Sequence, residues 1–446
     1  MLKGGDVGKA SGQDERQNES KPKRRTRRKS SASYGVVPLG PQMQLPEDFL
    51  LHSPAADHAA PAAASASASA SASAASAAQL AAFAARPRTP GLHIPPRLGA
   101  SGAAPASSLA PFAAYGRGSL APFWLSSGVC DQWGLNLFST ELRLITVSEN
   151  ATFAVIERGR PTSVVRVSQP GYVGGAVAVA SEIAWLDALR SVPGLNVAHN
   201  IPTASGFPVA TVNDEGGRAW ICVCMSYCPG QLMDSLPDAR QHFNAIGVAS
   251  ARLHAHARTW APPEGFSRFT WGSEDMVGDF PRWGRWQDQV DDAACAKLLA
   301  QAQDAALGAL AGIARTPQNW GLVHGDLRPG NLIVRPDGDF TIIDFDDCGY
   351  SWLMYDFACA LSFLEHEPQA PELAKRWVDG YCSVAELSED DLTCACALSM
   401  LRRLQLIGWA AGHYPDALPT HLRNTLVTGA EFCAKRYLAD PRWLLR

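Results

Sequence analysis

The stretch from Gly321 to Phe363 limits the possible folds more than any other part of the chain. It runs His324-Gly-Asp326-Leu-Arg328-Pro-Gly-Asn331, then Leu332–Val334, then Pro336-Asp-Gly-Asp339, then Phe340–Ile343, then Asp344-Phe-Asp346-Asp347. Physically this is a loop, a strand, a tight turn, a second strand and a second loop. Asp337-Gly338 is a strong two-residue hairpin signal. With that pair at the tip, Asn331 and Asp344 stand directly opposite each other, Cα atoms ~4.5–5.5 Å apart. A turn at Pro336-Asp337 with Gly338 in a bulge shifts the pairing by one residue and leaves them neighbours. Asp326 lies on the loop feeding the same end. Carboxylates and an amide oxygen, with no His or Cys among them, form a hard oxygen site suited to Mg²⁺, which takes few protein ligands plus phosphates. A carboxylate without a metal duty fits a proton acceptor. Together they match what phosphoryl transfer needs.

The chain ahead of this body differs in kind. Every residue from Ala62 to Ala78 is Ala or Ser, a low-complexity run whose side chains are too small to offset chain entropy. Lys21–Lys29 reads KPKRRTRRK. The first 120 residues carry a surplus of Lys and Arg and the remainder a surplus of Asp and Glu, so the formal net charge of −4 averages a basic tail over an acidic body. The basic cluster reads either as a contact for anionic membrane or nucleic acid or as a solubilising arm; the second is adopted, with no specific nucleic-acid partner. Asp6, Asp14, Glu15 and Glu19 interrupt the acid-poor pattern of a transit peptide, and no apolar core follows the basic start as in a secretory signal. Alternating Ser keeps the Ala/Ser run below spanning hydrophobicity. No later run offers ~20 apolar residues, so no transmembrane segment is expected. Residues 1–120 are therefore expected to be a disordered tail, with the folded body starting between Leu120 and Gly134. The eleven cysteines include C-x-C pairs at Cys222/Cys224 and Cys394/Cys396. These lack a zinc pattern and read as reduced thiols of a cytoplasmic protein.

Thr152–Glu157 and Thr162–Val167 read as strands of a hairpin turning at Arg158–Pro161. In the second strand Val165 and Val167 share one face, Val164 and Arg166 the other. Ala176–Arg190 has helical spacing, with Glu182 at the edge of its apolar stripe. Trp220–Met225 is a further strand, broken at Pro229-Gly230. Gln241–Arg258, Lys297–Ile313, Tyr355–Glu365 and Asp390–Ala411 read as helices. No G-x₄-G-K-[ST] motif occurs, so a P-loop enzyme is not expected.

HGDLRPGN followed by IIDFDD resembles the motif of aminoglycoside phosphotransferases and choline-kinase-like enzymes, small-molecule relatives of the protein kinases. RVSQPGY, SEIAWL and ARLHAHA are similar to a bacterial branch with type II homoserine-kinase-like and stress-response-kinase-like proteins. The likeness spans Leu135–Leu438, about two thirds of the chain. It implies an α+β, bilobal protein-kinase-like fold: a small antiparallel-sheet N-lobe at 130–228 and a mainly helical C-lobe at 229–446. It implies ATP- and Mg²⁺-dependent phosphorylation of a hydroxyl on a small acceptor. By resemblance, Asp326 is the catalytic base and Asn331 and Asp344 are the metal ligands. Glu182 pairs with a basic residue on the preceding strand, which is Lys in many kinases and here is Arg166. That departure places a planar fork rather than a compact ammonium against the phosphates. Arg328 stands where protein Ser/Thr kinases place a lysine and neutralises the transferring phosphoryl in one reading. Asp356 braces the catalytic loop. Met225–Cys228 is the hinge, with Met225 and Tyr227 at the nucleotide.

Some residues keep two readings. His324 is taken as a loop brace, Asp347 as structural, and Asp346 as either a second metal ligand or a capping group. Ser148–Asn150 is a candidate phosphate-covering turn without a Gly-rich repeat. Trp271, Trp283 and Trp286 lie where relatives bind the acceptor; they stack on a cationic substrate or pack the core. Two other functions are weighed. A Ser/Thr protein kinase of the stress-response type is disfavoured, because only eleven residues separate Asp344 from Asp356 and no A-P-E signature follows. A catalytically weak nucleotide-binding module is supported by Arg166 but opposed by the intact Asp326, Asn331 and Asp344.

Overall fold

The computed structural model describes Phe112 and residues 115–168, 174–237, 239–412 and 420–446. The basic cluster, the Ala/Ser run and the Gln169–Tyr172 part of RVSQPGY lie outside the described residues.

After helix α1 (Phe123–Trp133) come strands β1 (Thr140–Val147), β2 (Asn150–Glu157) and β3 (Arg160–Ser168), helix α2 (Gly175–Leu189), and strands β4 (Asn200–Ile201), β5 (Ala210–Asn213) and β6 (Ala219–Ser226). They form one antiparallel sheet in the order β1-β2-β3-β6-β4, with β5 also on β6. The β2–β3 turn is Arg158-Gly159, both at positive φ (52° and 75°), the primed turn that matches strand twist. Val165 and Val167 face a core with Phe153 and Trp220. Val164 and Arg166 face the other way, into the cleft.

The folded body begins earlier than the sequence suggests. Phe112 is fully buried, edge-on to Phe153 and Trp220 at 5.6 and 5.3 Å. The amide of Gly118 donates to Leu144 O at 2.8 Å, and that of Ala121 to Leu142 O at 2.8 Å. Phe112 and residues 115–120 thus belong to the sheet's packing, not to the tail. The low-complexity composition around them hides one large aromatic side chain, whose burial is worth about 1.5–3 kcal/mol.

The remainder is mostly helical: β7 (Gln231–Leu232), α3 (Phe243–Thr259), α4 (Ser273–Val277), α5 (Ala293–Ala311), β8 (Trp320–Val323), β9 (Leu332–Val334), β10 (Phe340–Ile342), β11 (Gly349–Trp352), α6 (Tyr355–Ala360), α7 (Ala370–Cys382), α8 (Glu389–Gly412) and α9 (Thr420–Ala439). The helix expected over Tyr355–Glu365 stops at Ala360, and Phe363 has a φ of 69°. Helices α3 and α7 cross at glycines. A Cβ on Gly247 would run into the Trp377 carbonyl, and one on Gly380 into the Asn244 carbonyl. One core joins α2, α3 and the C-terminal helices. No helix among the described residues is long and apolar enough to cross a membrane.

Two short ladders position the chemistry. β9 pairs with β10, and β8 with β11. The chain leaves β8, loops over residues 324–331, runs out and back through the hairpin, loops again over 343–348, and returns beside β8. Both loops therefore meet at one edge. The hairpin turns at Pro336-Asp337 with Gly338 at a φ of 85°, and Arg335 N donates to Asp339 O at 2.8 Å. Thr341 pairs with Ile333 and Ile342 with Leu332. Asn331 therefore faces Ile343, whose amide donates to Asn331 O at 3.0 Å. Asp344 lies one residue off the directly opposed position, because the bulge takes up that residue.

Candidate active site

The first loop is held from below. Asp356, fully buried on α6, accepts from the amides of His324 (3.2 Å) and Gly325 (3.0 Å) and contacts His254 Nε2 at 3.0 Å. Burial alone would raise its carboxyl, but these hydrogen bonds and the two imidazoles hold it below the usual range. His324 is fully buried and kept neutral by that burial. Its Nδ1 accepts from the Asp326 amide at 3.3 Å and its Nε2 faces Ile343 O at 3.1 Å, so it ties the two loops together as a brace. Gly325 has a φ of 83°, and a Cβ there would strike the Asp347 carbonyl. Only glycine lets the loops approach so closely.

Asp326 collects three donors. Arg328 Nε and Asn331 Nδ2 reach Oδ2 at 3.0 and 2.7 Å, and Arg402 Nη2 reaches Oδ1 at 2.6 Å. Asn331 Nδ2 also donates to Asp326 O at 2.9 Å, so its amide nitrogen is committed and its oxygen is the atom left for a cation. Arg328 is buried, and a Cβ on Gly330 would strike its guanidinium. Burial lowers the Arg328 pKa, but Asp326 and Asp234 outweigh that and hold it up.

Asp344 adopts the left-handed conformation (φ 64°, ψ 63°), which costs a non-glycine residue about 1–2 kcal/mol and turns its carboxylate toward Arg166, with Oδ1 3.9 Å from Nη1. Arg166 Nη2 donates to Glu182 Oε2 at 2.6 Å, with both residues buried. The strand–helix ion pair expected from the sequence is thus formed. Asp344 opens onto the cleft, with 39% of its side chain accessible; desolvation by the cleft walls still raises its carboxyl well above the usual range, and Asp346 adds to this against Arg166. Asp346 in turn accepts from Asn150 Nδ2 at 2.6 Å.

Asp326, Arg328, Asn331, Asp344, Asp346, Arg166 and Arg402 line one cleft of about 890 Å³, while Asp356 and His324 brace it from behind. It adjoins a second of about 920 Å³ bounded by Met225, Tyr227, Val164, Leu186, Leu232 and Ile333, with Arg166 and Asp344 common to both. The hinge residues therefore wall an aliphatic slot suited to a flat heterocycle. The Ser148–Asn150 turn stands over the first cleft, and Glu149 Oε1 accepts from Trp409 Nε1 at 2.6 Å. Of the three tryptophans, Trp271 and Trp286 are core. Their ring nitrogens donate to Asp347 O and Gln303 Oε1, each at 2.7 Å. Trp283 lines the cleft.

The donor set suits a hard divalent cation. It offers an amide oxygen and a carboxylate beside a second carboxylate whose repulsion a cation would relieve. Among the described residues no three His, Cys, Asp or Glu side chains converge as a closed metal cage. That fits an ion completing its shell with water and phosphate oxygens. The residues between Asp344 and Asp356 form a 3₁₀ turn and β11, with no room for a long activation segment.

The sequence did not reveal Arg402, Arg268, Asp234 or Trp409. Arg402 and Arg403 stand side by side within a helix whose neighbours Met400, Leu401, Leu404 and Leu406 are all buried. Two charges in an apolar stripe are a readable signal. Arg403 faces away, pairing with Glu365 at 3.1 Å. Arg268 donates to Cys348 O at 2.6 Å, Ala178 O at 3.0 Å and Asp346 O, clamping the second loop to α2.

Known proteins share the fold. The structure of the microcompartment-associated aminopropanol kinase is 34% identical, with a TM-score of 0.64 over 72% of this chain and 98% of that one. Amicoumacin kinase hAmiN, solved with AMP-PNP, Ca²⁺ and Ami, has a TM-score of 0.57 at 19% identity, over 70% of this chain and 92% of that one. In sequence, amicoumacin kinase of Bacillus subtilis (strain 168) is 25% identical over 285 residues, 60% of this chain and 79% of the relative. Homoserine kinase of Allorhizobium ampelinum is 28% identical over 227 residues, 49% of this chain and 66% of the relative. The α+β, bilobal architecture is thus the kinase-like one. The profile of the phosphotransferase enzyme family matches residues 141–393, more than half of the chain, and the chain belongs to that family.

Proposed function

We propose that this protein is an ATP- and Mg²⁺-dependent kinase that phosphorylates a hydroxyl group of a small molecule. One observation carries the reading: Asp326, Asn331 and Asp344 converge on the floor of a cleft that continues into an aliphatic slot along the hinge. In this reading residues 1–120 act as a tail apart from the sheet-packing segment at its end, and lobes 130–228 and 229–446 enclose the cleft. The eleven free cysteines, mostly buried, support a reducing, cytoplasmic setting.

Met225 and Tyr227 flank the adenine. Arg166, fixed by Glu182, faces the α- and β-phosphates. Asn331 and Asp344 hold the metal, which when bound neutralises phosphate charge. Asp326 accepts the acceptor's hydroxyl hydrogen and holds its oxygen in line. The acceptor oxygen then bonds to the γ-phosphorus as the bond to the β,γ-bridging oxygen breaks. ADP leaves with that electron pair, and the acceptor's proton passes to Asp326. Arg328, beside Asp326, offsets charge on the transferring group. Positioning and electrostatics supply most of the acceleration. The test is a coupled ADP-release screen over amino alcohols, sugars and aminoglycosides. Acceptor-dependent ADP release that requires Mg²⁺ is expected; ADP release that no acceptor raises contradicts the reading.

A further inference from the structure

Asp347 was read as structural, and its backbone holds the loop, but its carboxylate has a different setting. It is 6% exposed, and that remaining surface opens into the catalytic cleft. Its backbone carbonyl accepts from Trp271, but among the described residues no donor reaches its carboxylate and no cation pairs with it. A buried carboxylate without a partner is costly and is normally neutralised, paired or removed by selection. Its charged neighbours do little to offset this: Glu149, Asp346 and Asp326 are all acidic, and Arg402, whose charge favours it, gives its hydrogen bonds to Asp326, Tyr355 and Ser362. The adjoining walls are aromatic, Trp283, Phe363 and Trp409. One of them already accepts a cation on its face, with the Arg402 guanidinium 4.9 Å from the Trp283 ring.

We infer that Asp347 is the acceptor-binding carboxylate, and that the acceptor is an amino alcohol whose ammonium lies between Asp347 and the Trp283 and Trp409 rings while its hydroxyl reaches Asp326. This rests on the kinase reading for the hydroxyl but not for the ammonium subsite. A carboxylate and an aromatic face are the two groups that best recognise a desolvated ammonium. A neutral sugar hydroxyl would leave Asp347 uncompensated.

The test is equilibrium calorimetry without turnover, using ethanolamine and 1-amino-2-propanol against ethylene glycol and 1,2-propanediol as uncharged counterparts, with Mg·AMP-PNP titrated separately. The wild type should bind an amino alcohol and not its diol. Asp347→Asn should weaken amino-alcohol binding roughly 10- to 100-fold, the scale of a charged hydrogen bond. It should leave Mg·AMP-PNP affinity unchanged and melt no lower than wild type, because it removes an unpartnered buried charge. Trp283→Leu should weaken the same probes with the nucleotide unaffected. The inference is overturned if the wild type binds neither amine, if Asp347→Asn binds both amines as tightly as wild type, or if it loses Mg·AMP-PNP, which would make Asp347 a metal ligand. Should the kinase reading itself fail, ADP release would stay acceptor-independent while the amine titrations still decide the subsite.

Discussion

Asp326 is held by Arg328, Asn331 and Arg402 at 3.0, 2.7 and 2.6 Å, so its carboxylate is fixed before any substrate arrives. Such preorganisation is what a positioning base requires. Asp344 has the opposite character. It sits in the left-handed conformation, opens onto the cleft, faces Arg166 at 3.9 Å and is pushed up by desolvation from the cleft walls and by Asp346. Asp344→Ala is therefore expected to abolish Mg²⁺-dependent nucleotide binding while the fold persists; calorimetry with and without Mg²⁺ checks it, and retained Mg²⁺-dependent binding refutes the ligand role. Asp326, Asn331 and Asp344 were legible because the spacing of one hairpin and its flanking loops brings them together; the Arg166–Glu182 pair was legible through the resemblance, with spacing placing Arg166 on one strand face and Glu182 at the edge of the next helix's stripe. Arg402 and Asp347 were not. Arg402 arrives from a helix 76 residues away, and the importance of Asp347 lies in having no partner, which no sequence displays.

At the scale of elements, the β8–β11 and β9–β10 ladders explain why two loops meet, and the bulge at Gly338 explains the one-residue shift in register. The sequence contained both possible turns, and the choice depended on how Pro336-Asp337 fits a three-residue connection. The α3–α7 crossing shows what patterning misses. Helix α7 was not foreseen, and its contact depends on Gly247 and Gly380, each pressed against the other helix's backbone. Gly247→Ala should lower stability by about 1–3 kcal/mol through overpacking. Gly308→Ala, on an exposed face of α5 with nothing within 4 Å of a new Cβ, should raise it by about 0.5–1 kcal/mol. Thermal melts of the pair give opposite signs if close packing is what separates them; equal shifts contradict this account.

For the whole molecule, stability should depend on pH through groups buried in the neutral form. His366 is pushed down to about 4 by burial and by Arg403. Its folded pKa lies below the ordinary ~6.5, so its contribution is complete above that value and is lost as pH falls toward 4. Asp187, raised to about 6 by burial against Arg190, works in the opposite sense. The difference between wild type and His366→Gln isolates the histidine: the wild type should lose more melting temperature between pH 7 and pH 5, and parallel losses would refute the assignment. At this scale the sequence revealed the two lobes through their motifs but placed the start of the body too late, because Phe112 is surrounded by Ala and Pro. Whether the cleft between the lobes performs phosphoryl transfer rests on Asp326. The most direct measurement compares acceptor-dependent ADP release and Mg·ATP affinity in wild type and Asp326→Asn. Turnover should fall roughly 10²–10⁴-fold with nucleotide affinity nearly intact; equal turnover in the variant would contradict the central claim.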